Sequence, residues 1–100
     1  MPNGGKSWDV LDGILVTGEA VAIHESAQPP GLAPNPQHKI DHSEFILVRE
    51  GTLEFQYDGK FERVGAGGVI FVAPGTMHTA RNVGNGLANY VVISIGGDTK

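Results

Sequence analysis

One hundred residues, 40% of them hydrophobic, supply a core for one domain and not for two. Seven Lys and Arg against eleven Asp and Glu leave a formal charge of −4 with no basic cluster, so nucleic acid has no electrostatic footprint here. The absence of cysteine excludes a disulfide framework, a thiolate metal site and a cysteine nucleophile, and no apolar run approaches the roughly 20 residues of a membrane span.

Residues 1–13 lack the charged start and apolar stretch of a secretory leader. A cytoplasmic location without a membrane partner is expected for the chain as given, and an upstream extension would weaken that expectation. Segments 13–16 and 20–24 read as short strands separated by Thr17-Gly18. Residues 28–36 carry Pro29, Pro30, Pro34 and Pro36, which forbid a helix and predict an extended surface connection. A strand follows over 44–48. Residues 52–57 alternate strictly, with Leu53, Phe55 and Tyr57 on one face and Thr52, Glu54 and Gln56 on the other. Asp58-Gly59 predicts a two-residue hairpin, from which 61–64 returns. Further strands are predicted over 68–72, 78–82 and 89–95, with turns at Pro74-Gly75 and Gly84-Asn85-Gly86 and a frayed tail from Gly96. Short strands at regular spacing with no helical period predict an antiparallel sandwich or barrel.

The residues able to carry chemistry are histidines and one carboxylate. His38, His42 and Glu44 lie close together in the chain, and His78 follows the Pro74-Gly75 turn. On one straight strand His38 and Glu44 would stand about 20 Å apart, too far to share an ion. A turn at Asp41-His42-Ser43 would instead fold a hairpin. Ile40 would then face Glu44, and His38 would lie diagonally at roughly 7–8 Å. His42 would lean over the same pocket from the tip, and His78 would close it from another strand. Two imidazoles and a carboxylate suit Fe(II), Mn(II), Ni(II) or Zn(II) and leave coordination positions open.

Two segments resemble the paired motifs of the cupin superfamily. In the first, His38, Glu44 and Gly51 match His-x-His, three or four residues, Glu, six residues, Gly. In the second, Gly67, Pro74-Gly75, His78 and Asn82 match in order. Ala73 replaces a proline of the second motif, which only loosens a turn. Ile40 stands where the first motif has its second histidine. The resemblance implies a double-stranded β-helix, or jelly-roll, barrel spanning 1–100 with its core over about 12–96. It also implies His38, Glu44 and His78 as metal ligands, and a homodimer. Relatives of this kind often carry a further histidine at the place of His42, so His42 completes the candidate set.

Each candidate has a plainer reading. His38 alone would be a surface histidine, and its spacing to Glu44 and Gly51 turns the reading to ligand. Glu44 alone would open a strand toward solvent. His42 stays divided between ligand and exposed turn residue, and His78 has a satisfied structural histidine as its rival. His24 belongs to no pattern and is read as a surface or interface residue, and Asn82 as structural. Gly65, Gly67 and Gly68 are turn glycines, because no helix follows to make a phosphate cradle.

The expectation is therefore an all-β cupin-type barrel that binds a divalent transition metal. Its role is that of a dioxygenase or isomerase on a small organic molecule, or of a non-catalytic binding or sensing module with a degenerate metal site. A third possibility is an assembly partner with a vestigial site. Ile40 leaves open whether the metal persists with fewer ligands or an apolar wall has replaced it.

Overall fold

The structure is a computed structural model that describes residues 3–99. Met1, Pro2 and Lys100, the extreme ends of the expected 1–100 span, lie outside the described residues. Eight strands follow in order: β1 (Lys6–Ile14), β2 (Ala20–Gln28), β3 (Ser43–Glu50), β4 (Thr52–Tyr57), β5 (Lys60–Gly65), β6 (Val69–Val72), β7 (His78–Asn82) and β8 (Ala88–Ile95). There is no helix among the described residues, as the turn spacing predicts. All pairings are antiparallel. The strands form a five-stranded sheet, β1-β2-β8-β3-β6, and a three-stranded sheet, β5-β4-β7, the two layers of a jelly roll.

Period-two alternation decides what each layer buries. On β3 and β8, Ile46, Val48, Ala88, Tyr90 and Val92 point inward and meet Leu53 and Phe55 of β4 and Ile70 and Val72 of β6. Glu54, on the other face of β4, is nonetheless covered, because Arg81 and Arg63 close over its carboxylate at 3.3 and 3.8 Å. The Asp58-Gly59 hairpin forms as expected. Tyr57 pairs with Lys60, and both turn residues have positive φ, 47° and 75°.

Two strands run longer than their sequence signal. β1 starts at Lys6 rather than Gly13. It is an edge strand exposed along its whole length and broken by an irregularity between Asp9 and Leu11, so no face imposes a clean alternation. β2 extends to Gln28. Its inward residues, Ala22, His24, Ser26 and Gln28, are mostly polar, which hides their period from a hydrophobicity count.

The outward face of the large sheet is apolar across all five strands. The register aligns Phe71, Phe45, Ile93, Ile23 and Leu11 in one row, and Val69, Leu47, Val91, Glu25 and Trp8 in the next. Glu25, the one charge in these rows, is paired with Arg49.

The chain leaves the large sheet for the small one at Gly51. Its φ is +80°, and a Cβ there would meet the Leu87 carbonyl oxygen at 2.6 Å and the Ala88 Cα at 2.9 Å. Both objections to a side chain are backbone and cannot move aside cheaply. Gly51→Ala is therefore expected to lower the unfolding free energy by about 2 kcal/mol or more, read from urea titration. Gly59→Ala, where nothing lies within 4 Å, should lose only about 1 kcal/mol of left-handed strain. Equal losses would show that the close approach at Gly51 carries no weight.

Candidate metal and ligand site

Between the sheets lies a cavity of about 400 Å³. His38, Glu44 and His78 line it, together with His24, Tyr90, Ser26 and the apolar Ile46 and Val92. The expected hairpin through residues 38–44 does not form. His38 pairs instead with His78, each N–H donating to the other's carbonyl at 3.0 Å. The Ile40 carbonyl accepts from Gly75 N–H at 2.7 Å, and Glu44 sits in β3 between Val72 and Ser94. The segment at His38 thus belongs beside β7 and the segment from Ser43 belongs to the large sheet. The chain bends between them at Asp41-His42. The nearest partner of His38 comes from 40 residues away, beyond the reach of local reasoning.

Direct pairing places the His38 and His78 side chains on one face, with ring centroids 4.4 Å apart. His78 is 3% exposed and its orientation is settled by its own turn: Nδ1 lies 2.9 Å from the Thr76 carbonyl oxygen. A carbonyl only accepts, so Nδ1 carries a hydrogen and Nε2 is the nitrogen turned to Glu44 Oε2, 3.5 Å away. His42 repeats the arrangement from the other side. Its Nδ1 lies 2.5 Å from Asp98 Oδ1, and its Nε2 lies 3.3 Å from Glu44 Oε1.

Glu44 is only 8% exposed. Burial pushes its carboxyl up, but hydrogen bonds from His78 and His42 and their charge outweigh that and hold it below the ordinary value. Burial pushes His78 down, and its hydrogen bonds to Glu44 and the Thr76 carbonyl, with the Glu44 charge, carry it above its ordinary value. Asp98 is lowered by its hydrogen bond to His42.

The donors fit a divalent transition ion in kind. Each of two histidines has Nδ1–H tied to an oxygen and Nε2 facing a carboxylate, the outer bonding typical of metal-ligating imidazole. Their present arrangement does not complete a site. Among the described residues no three His, Asp or Glu side chains converge on one point, and each Glu44 oxygen is taken by a different histidine. Ile40 is buried in the core, 6% exposed, and offers no donor.

His24, expected on the surface or at an interface, lines the cavity, because β2 continues past it and turns its even-numbered residues inward. Extending that strand to Gln28 would have found it. Tyr90 lines the cavity and accepts a hydrogen bond from Gln28 Nε2 at 2.7 Å, whereas Tyr57 donates to Glu62 and lies outside this cavity. Asn82 is structural. Its Nδ2 donates to the Gln28 and Gly86 carbonyls and its Oδ1 accepts from Gly84 N–H. Asp98 lies in the tail read as frayed and had no signal of its own in the sequence.

The paired shifts predict a window of stability. Glu44, lowered from 4.5, contributes above that value and loses its contribution as pH falls through its folded pKa. His78, raised from 6.5, contributes below that value and loses its contribution as pH rises through its folded pKa. In metal-free protein the stability lost in Glu44→Gln should therefore be greatest between pH 4.5 and 6.5. Denaturant midpoints of both proteins across pH 4–9 check this, and a flat difference would mean the pair is not coupled.

The sequence matches the cupin domain family over residues 24–94. No curated protein sequence matches it. Among solved structures, the chain is similar to the Cnp3 cupin domain of Schizosaccharomyces pombe, with TM-score 0.80 and 17% identity over 94% of this chain and 65% of that one. A cupin superfamily protein of Desulfitobacterium hafniense gives 0.75 at 15% identity over 93% and 78% of the two chains. A protein of Thermotoga maritima described as a predicted oxalate decarboxylase gives 0.68 at 21% over 86% and 90%. Identities this low speak for the fold alone. With the family match covering most of its length and the two-sheet jelly roll around an interior cavity, the chain belongs to the cupin family.

Proposed function

We propose that this protein is a single cupin domain that binds one divalent transition metal, Fe, Mn, Ni or Zn, through His38, His42, Glu44 and His78, and acts on a small organic molecule held in the cavity beside it. The observation that carries the reading is the buried Glu44 carboxylate faced by two imidazole Nε2 atoms whose Nδ1 hydrogens are already committed elsewhere. A bound ion would supply Lewis acidity and open positions for a ligand, the requirement of a dioxygenase or isomerase. The chain's own part is to orient and enclose. Thr76 holds the His78 ring, Ile46 and Val92 form an apolar wall, and His24 and Tyr90 offer polar groups at a distance from the donors.

A non-catalytic binding or sensing module is the second reading. It is favoured by Ile40, which fills the place of the second motif histidine with buried hydrocarbon. Metal analysis by mass spectrometry separates the two. Under the first, wild type holds about one transition metal per chain, and His38→Ala and His78→Ala lose it. A wild type that stays empty after reconstitution with Fe(II), Mn(II), Ni(II) and Zn(II) turns the reading to the second.

We further propose a cytoplasmic homodimer. The absence of cysteine suits a reducing compartment. The two apolar rows across all five strands offer a second copy one continuous face to cover, with Phe71, Val69, Leu11 and Trp8 exposed in it. Phe71 lies in one of those rows and is 56% exposed, so Phe71→Glu should change stability little within one chain yet split the dimer. Light scattering on a sizing column reads the mass. An unchanged mass for the variant, or a monomeric wild type, rejects this interface.

A further inference from the structure

After β8 the chain turns back over the loop that carries His42. Gly96 N–H donates to the Ala20 carbonyl at 2.8 Å, Asp98 N–H to the Asp41 carbonyl at 3.3 Å, and Thr99 N–H to the Gly96 carbonyl at 3.0 Å. The crossing at Gly97 is very close. Its φ is +53°, and a Cβ there would fall 1.6 Å from the Asp41 carbonyl oxygen and 2.9 Å from the His42 Cα. Only glycine permits this path.

The path delivers Asp98 Oδ1 to within 2.5 Å of His42 Nδ1. Asp98 Oδ1 is the nearer of the two carboxylate oxygens that the ring faces, so Nδ1–H donates to it and Nε2 is left facing Glu44 at 3.3 Å. An exposed Asp–His pair would mean little alone. This one differs in two ways. The imidazole is mostly covered, its side chain 14% exposed against 56% for Asp98, and its second nitrogen addresses a buried carboxylate.

We propose that Asp98 is a positioning residue for the metal site: through the Gly97 turn it fixes the His42 ring with Nε2 toward Glu44, and so supplies the imidazole donor that Ile40 does not. The inference rests on the metal-binding reading above and adds to it the residue and the segment that hold His42 in place.

The test uses full-length Asp98→Ala, Asp98→Asn, His42→Ala and the double variant His42→Ala/Asp98→Ala, each checked for folding by circular dichroism. Zn(II) affinity is measured by competition with a chromophoric chelator, and Co(II) absorption reports the donor set. Ring ¹⁵N shifts of metal-free protein at mildly alkaline pH report the His42 tautomer. Asp98→Ala should weaken Zn(II) about 10–100-fold, the usual effect of removing an outer partner of a ligand histidine, and should lose the Nδ1–H tautomer. Asp98→Asn keeps an oxygen acceptor and should recover most of both. In the His42→Ala background Asp98→Ala should add nothing.

Several results overturn the inference. Asp98→Ala could bind Zn(II) like wild type, or weaken it equally with and without His42, which would make the tail merely structural. If His38→Ala and His78→Ala abolish binding while His42→Ala does not, this inference fails and metal binding through His38, Glu44 and His78 stands. A wild type that binds no ion overturns both.

Discussion

A carboxylate inside the barrel sets the terms for everything around it. Glu44 alternates inward on β3 among Ile46 and Val48, where an unpaired charge would be expensive to hold. It is tolerated because two imidazoles reach it from different parts of the fold, His78 from the start of β7 and His42 from the bend before β3. Each imidazole is in turn oriented by an oxygen on its far side. The backbone bridge between His38 and His78 and the tail crossing at Gly97 are the two places where the chain is committed to bring those rings in.

The interior has two halves of different character. One is a packed apolar core from Leu53, Phe55, Val72 and their neighbours. The other is the cavity, walled by the polar inward residues of β2 and by the donor group. Gln28 joins them. Fully buried, it bonds Tyr90 through its side chain, and its carbonyl accepts from Asn82 of the small sheet. The bond from Asn82 crosses between the layers, whereas the bond to Tyr90 fixes the Gln28 side chain within the large sheet, so the buried residue is satisfied on both sides.

How much could be read from the residues followed from how local their partners are. The 52–57 alternation and the Asp58-Gly59 turn need only neighbours, and they form as written. The motif spacing singles out His38, Glu44 and His78, and all three line the cavity, yet the hairpin expected to unite His38 with Glu44 does not form, because His38 finds its partner on β7 instead. His24 was missed because a strand facing a cavity carries no hydrophobic period. Asp98 was missed because nothing near it in sequence shows that the tail returns to His42; that depends on one glycine crossing one carbonyl.

Glu44 and Phe45 are adjacent in sequence and opposite in role, one turned to the cavity and the other lying in the apolar rows of the outer face. A slip of a single residue in the pairing of β3 with β8 would exchange them. It would drive an aromatic ring into the space the histidines address and set a charge in the middle of the apolar outer face. The cavity wall and the apolar outer face are thus written on alternate letters of the same strand, so a frame error in that one pairing would damage both at once, and variation that spares one face has to be tested against the other.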